Sequence, residues 1–124
     1  MGKISSYRDL DVWKLGMQLA RDIYKATAQF PKQEQYGITS QIQRAAVSVP
    51  SNIAEGSSRR STREFIRFVN IASGSVAEVE TQLTLACDFG FLPEVILKQL
   101  LNDADVISKM LYGLQRSLTE KEAA

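Results

Sequence analysis

The sequence predicts an all-α protein, a single antiparallel up-down-up-down four-helix bundle occupying residues 1–124 as one domain. Three observations predict it. Four stretches carry apolar residues at alternating steps of three and four, the spacing of helices packed lengthwise on one another. No stretch alternates apolar and polar residues with the period of a strand. The three connections between the stretches are short and marked by proline, glycine and serine, which favours antiparallel neighbours.

The first helix is expected over about 10–29, with Asp9 or Asp11 as its cap. Its seam is Val12, Gly16, Leu19, Ile23, Ala26 and Phe30, and Trp13, Ala20 and Tyr24 widen the apolar face. Residues 1–9 read as a loosely ordered lead-in. Pro31 ends the helix, because the residue before a proline is pushed out of helical geometry.

A second helix is expected over about 34–57, with Ile38, Ile42, Ala45 and Val49 in its seam and Ala46 and Ile53 alongside. Pro50 falls inside it. Proline removes one backbone hydrogen bond and presses on the carbonyl four residues back, so a kink near Ala46 is predicted. A break into two helices at Pro50 is the alternative.

The third helix, about 61–90, organises the rest. Phe65, Val69, Ala72, Val76, Val79, Leu83 and Ala86 form an unbroken seam along it. Ser61 and Glu64 fit a capping box, and Gly90 fits the left-handed position that commonly follows a helix end. The small run Ala72-Ser73-Gly74-Ser75 suggests close approach of a second backbone at Gly74, offsetting the ~1 kcal/mol that glycine costs a helix relative to alanine.

The last helix is expected over about 93–118, with Pro93 at its first turn. Its seam is Leu97, Leu100, Ala104, Ile107, Leu111, Leu114 and Leu118, and residues 119–124 read as a fraying tail.

Composition narrows the chemistry. The chain has no histidine, which removes Ser-His-Asp and Cys-His catalysis, His-ligated zinc and the Glu-x-x-His di-iron sites of other bundles. A lone cysteine, Cys87, cannot form an internal disulfide and reads as a small core residue. There is no apolar run of signal-peptide or membrane-span length, so a cytoplasmic protein is expected. Glu78 and Glu80 lie two apart on a helix and point in different directions, a poor acid–base dyad. No enzyme, cofactor or metal is implied.

Net charge is +1, but eleven basic and six acidic residues lie at or before Arg67, giving about +5 there and −4 beyond. Arg59, Arg60, Arg63 and Arg67 concentrate that charge at the turn into the third helix. They are the candidate nucleic-acid or phosphate contact, since arginine forks bind phosphate in a bidentate manner. The alternative is a solvated turn partly neutralised by Glu64.

On the second helix, Arg44, Ser48, Ser51 and Glu55 form a polar stripe, and Asn52 falls in register with the buried seam. They read either as satisfying groups freed by Pro50 and pairing with a neighbouring helix or subunit, or as a ligand contact. The run Arg44-Ala45-Ala46-Val47-Ser48-Val49-Pro50-Ser51-Asn52-Ile53-Ala54-Glu55-Gly56 resembles the signature of a bacterial four-helix-bundle family. That family is named for members encoded in intervening sequences of large-subunit ribosomal RNA genes. Leu10-Asp11-Val12-Trp13, Ile23-Tyr24, Phe30-Pro31, Gln41-Ile42 and Glu78-Val79-Glu80-Thr81 match its pattern too, so the resemblance covers roughly 7–115.

The resemblance implies a bundle that assembles as a ring-like homo-oligomer, a homopentamer, with no settled biochemical activity. It makes Arg44, Ser48, Pro50, Asn52, Glu55 and Gly56 the assembly or structural signature. The functional expectation is a non-enzymatic, self-assembling protein with RNA or another protein as its candidate partner and no membrane association. A purely structural protein–protein interaction module is the alternative.

Overall fold

The computed structural model describes residues 6–124. Four helices run in chain order: α1 (Asp11–Thr27), α2 (Ile38–Ser58), α3 (Thr62–Asp88) and α4 (Glu94–Ala123). Each packs on the next, and α1 packs on α4, closing an antiparallel four-helix bundle. There is no strand among the described residues.

The seams fall where the spacing puts them. Val69, Ala72, Val76, Val79, Leu83 and Ala86 of α3 are buried against Ile42, Val49 and Ile53 of α2 and Ala104, Ile107 and Leu111 of α4 in one core. Val12, Leu19 and Ile23 complete it from α1. At the base of α3 the buried aromatic is Phe68 rather than Phe65, which is half-buried beside it.

The helix ends show local causes. Ser61 caps α3 by accepting from the Glu64 amide at 3.2 Å. The other half of the expected capping box is not formed, because the Glu64 carboxylate turns to Arg67 instead. Gly90, at φ +83°, ends α3 in a Schellman motif. Its amide bonds to the Cys87 carbonyl at 3.0 Å, and the Phe91 amide reaches the Ala86 carbonyl at 2.9 Å.

Three boundaries differ from the sequence expectation. Neither Asp9 nor Asp11 caps α1; Leu10 occupies that position, and a short 3-10 turn (Tyr7–Asp9) precedes it, capped by Ser6. The remaining lead-in lies outside the described residues. Residues Lys32–Glu34 form a second 3-10 turn, and α2 starts only after Gly37, whose φ of −111° and ψ of −119° interrupt helical geometry. At the other end α4 continues helical to Ala123, and Glu122 reaches back to Arg63 at 3.9 Å, so the tail is a helix end rather than a frayed segment.

Helix α2 is continuous through Pro50, so the two-helix alternative is excluded. The proline ring is buried against α1 at Gly16, where an added Cβ would lie 3.5 Å from the proline Cβ and Cδ. Gly74 corrects a second expectation: it is exposed, and a Cβ there would meet nothing within 4 Å. The small run turns Ser75, not Gly74, toward the core. Gly74→Ala is therefore expected to stabilise the protein by about 1 kcal/mol through helix propensity alone, read from chemical denaturation. A loss of stability instead would reveal a surface packed on that face.

Candidate interaction surfaces

The polar signature of α2 is mostly occupied within the chain. Ser48 Oγ and Ser75 Oγ lie 2.8 Å apart, joining α2 to α3. The Asn52 amide donates to both Ser48 Oγ and the Ser48 carbonyl at 2.8 Å. Asn52 thus sits half-buried at the edge of the seam, bonding a carbonyl one turn back. Gly56 lets α3 approach so closely that a Cβ there would lie 2.6 Å from Phe68 Cβ. Glu55 holds Arg59 at 2.7 Å.

The arginine cluster is likewise partly engaged. Arg59 and Arg67 both lie over the Phe68 ring, at 5.1 and 4.6 Å from its centroid. Arg67 also pairs with Glu64 at 3.1 Å. Hydrogen bonding to Arg67 is the main cause that holds the Glu64 carboxyl below its ordinary value, and the same contact raises Arg67. Arg63 faces Glu122 at the longer distance of 3.9 Å. Arg60 is exposed and has no carboxylate partner among the described residues. Three glutamates therefore stand among the four arginines. Glu122, far along the chain, could not be placed there from spacing.

The open surface consists of grooves. Between α1 and α2 runs an apolar one of about 570 Å³, lined by Trp13, Met17, Ala20, Tyr24, Val47 and Pro50, with Arg21 among its other lining residues. Trp13 and Tyr24 were expected in the core; Trp13 is half-buried and packs against the core, whereas Tyr24 is 48% exposed. Phe30 is buried and meets the Phe91 ring at a tilt of 50°, with the centroids 5.9 Å apart. Between α2 and α3 lies a polar groove of about 400 Å³ containing Gln41, Arg44, Ser48, Glu78 and Gln82. A third groove, of about 640 Å³, separates the end of α1 from the α3–α4 turn. Sequence reasoning did not find these grooves, since they depend on interhelical distance rather than on face.

The two glutamates singled out in α3 do not meet. Glu78 lines the α2–α3 groove, whereas Glu80 faces Asp105 of α4. Partial burial, and secondarily the Asp105 charge, raise the Glu80 carboxyl above its ordinary value. A carboxyl raised on folding contributes stability while neutral and loses it as pH rises through the folded-state value. Glu80→Gln is accordingly expected to raise the melting temperature at neutral pH. The gain should vanish below about pH 4, where the unfolded-state carboxyl is also protonated. A constant offset across that range would contradict the assignment.

Cys87 is half-buried against the core. Among the described residues no group of three or more His, Cys, Asp or Glu could hold a metal ion, and no helix is long and apolar enough to cross a membrane.

These features define an all-α four-helix-bundle protein whose open surface is a set of interhelical grooves. The chain belongs to the 23S rRNA-intervening sequence protein family, whose model matches residues 8–113. Among solved structures it is similar to a protein of unknown function from the S23 ribosomal protein family of Bacteroides thetaiotaomicron VPI-5482. The two are 26% identical, the match covers 84% of this chain and 97% of that one, and the TM-score is 0.76. No curated protein matches. The family and fold expected from the α2 signature are thereby borne out.

Proposed function

We propose that this chain is a non-enzymatic, self-assembling bundle protein of the cytoplasm, and that the α1–α2 groove is a contact surface for a second copy. The observation that carries the reading is the groove's apolar lining, with Val47 43% and Tyr24 48% exposed at its edges. Much of that lining comes from the segments that carry the family resemblance, and the resemblance implies a ring, with a homopentamer as the assembly expected. Light scattering of the purified protein over a wide range of concentration tests this. The expected mass is five times that of one chain, falling toward one chain in Tyr24→Glu/Val47→Glu. A single-chain mass at every concentration would sink it.

The arginine geometry favours a protein contact over RNA at the α2–α3 turn, because glutamates accompany Arg59, Arg63 and Arg67. Arg60, free of such a partner, and the weakly held Arg63 carry the second reading, an RNA contact. RNA affinity that falls log-linearly with salt and is lost in Arg60→Ala/Arg63→Ala would support it. No binding at low salt would end it.

A further inference from the structure

Several surface cations reach a carboxylate within 4.0 Å, among them Arg59, Lys98 and Lys109. Arg44 of α2 and Glu78 of α3 share one groove and do not. Both are exposed, and neither pairs with the other or with any opposite charge among the described residues. Within the α2 signature Arg44 is alone in this. Ser48 and Asn52 bond each other, Pro50 packs on Gly16, Glu55 holds Arg59 and Gly56 admits Phe68.

The groove between these two charges has fixed walls. Beneath it Ala45 is buried, and Ser48 Oγ lies 2.8 Å from Ser75 Oγ, which holds α2 and α3 together. A recess whose walls are already joined needs no costly ordering to receive a ligand. Its volume of about 400 Å³ is that of a small-molecule site. Gln41 and Gln82 complete the lining, one from each helix.

We infer that the α2–α3 groove binds a small zwitterion, a molecule carrying a carboxylate and an ammonium group as a free amino acid does. The carboxylate meets the Arg44 guanidinium, whose parallel N–H donors suit two carboxylate oxygens. The ammonium group meets the Glu78 carboxylate on the facing helix.

The pair of charges selects against other classes of ligand. A polyanion drawn to Arg44 is repelled by Glu78, and a metal cation drawn to Glu78 is repelled by Arg44. An apolar molecule would cover two charges and two amides without compensating any of them. A ligand of both signs satisfies both walls. The inference does not depend on the self-assembly or RNA readings above, which use the α1–α2 groove and the α2–α3 turn.

Saturation-transfer NMR tests this with glycine, γ-aminobutyrate and ε-aminohexanoate, whose two charges stand progressively farther apart. Acetate and methylammonium are measured beside them at constant ionic strength. One of the three zwitterions is expected to bind about tenfold more tightly than either singly charged probe. Arg44→Gln and Glu78→Gln are each expected to weaken that binding about tenfold with helix content unchanged. Lys98→Gln, on α4 outside the groove, is expected to leave it as it was. Acetate binding as tightly as the zwitterions would reduce the groove to an anion contact and overturn the inference. So would the absence of binding by all three zwitterions, or binding that both groove variants retain.

Discussion

Gly56→Ala is expected to lower stability by about 2 kcal/mol, although alanine is the better helix former by ~1 kcal/mol. The reason is what the new methyl would meet. It would lie 2.6 Å from Phe68 Cβ and 3.0 Å from Phe65 Cδ1. A ring edge can turn aside, but Phe68 Cβ is fixed to the α3 backbone, so relief requires α2 and α3 to separate. That separation strains the adjoining Ser48–Ser75 contact and the seating of Phe68 under Arg59 and Arg67. Urea denaturation measures the loss, and Gly56→Val should show a larger one. An alanine variant as stable as the parent would mean that the two helices are not held at this distance.

Leu83→Ala is expected to cost about 3–5 kcal/mol, a large share of the 5–15 kcal/mol typical of a whole domain. Leu83 is fully buried in α3, the helix that packs on both α2 and α4, so neither neighbour can collapse into the void without leaving the other. Leu97→Ala makes the comparison, because Leu97 is only half-buried on α4 and should cost clearly less. Equal losses at the two sites would contradict the placement of the core.

The architecture was legible because a seam of alternating three and four residues can bury only one face. Val69 through Ala86 are buried as that seam requires, and Gly90 stops α3 for a local steric reason visible in the residue type, whereas α1 ends at Thr27, short of the expected stop at Pro31. What escaped the sequence were properties of rotation and distance. One step of the helix separates Ser75, which bonds Ser48, from Gly74, which faces open space; a run of small residues fits either orientation. Phe65 and Phe68 compete for one place under α2 in the same way. The arginines at the α2–α3 turn were legible as a cluster, but their partners were not. Glu55 and Glu64 are neighbours in sequence, yet Glu122 arrives only through the length of α4. The grooves needed the separation of whole helices, which no local pattern encodes.

The order in which the helices touch has a consequence for synthesis. Three of the four helix pairings join consecutive helices and can form as soon as the second partner emerges; α1 with α4 joins the two ends of the chain. Local pairing makes the isolated bundle a fast folder, in microseconds to milliseconds. On the ribosome, however, 96 residues separate the end of α1 at Thr27 from the end of α4 at Ala123 (123 − 27). At ~5–20 residues per second that interval lasts roughly 5–20 s. Throughout it Leu19, buried in the finished bundle beside the α1–α4 crevice, awaits its cover. Between the end of α3 at Asp88 and the end of α4, the emerging chain presents the apolar flanks of three helices without their fourth partner.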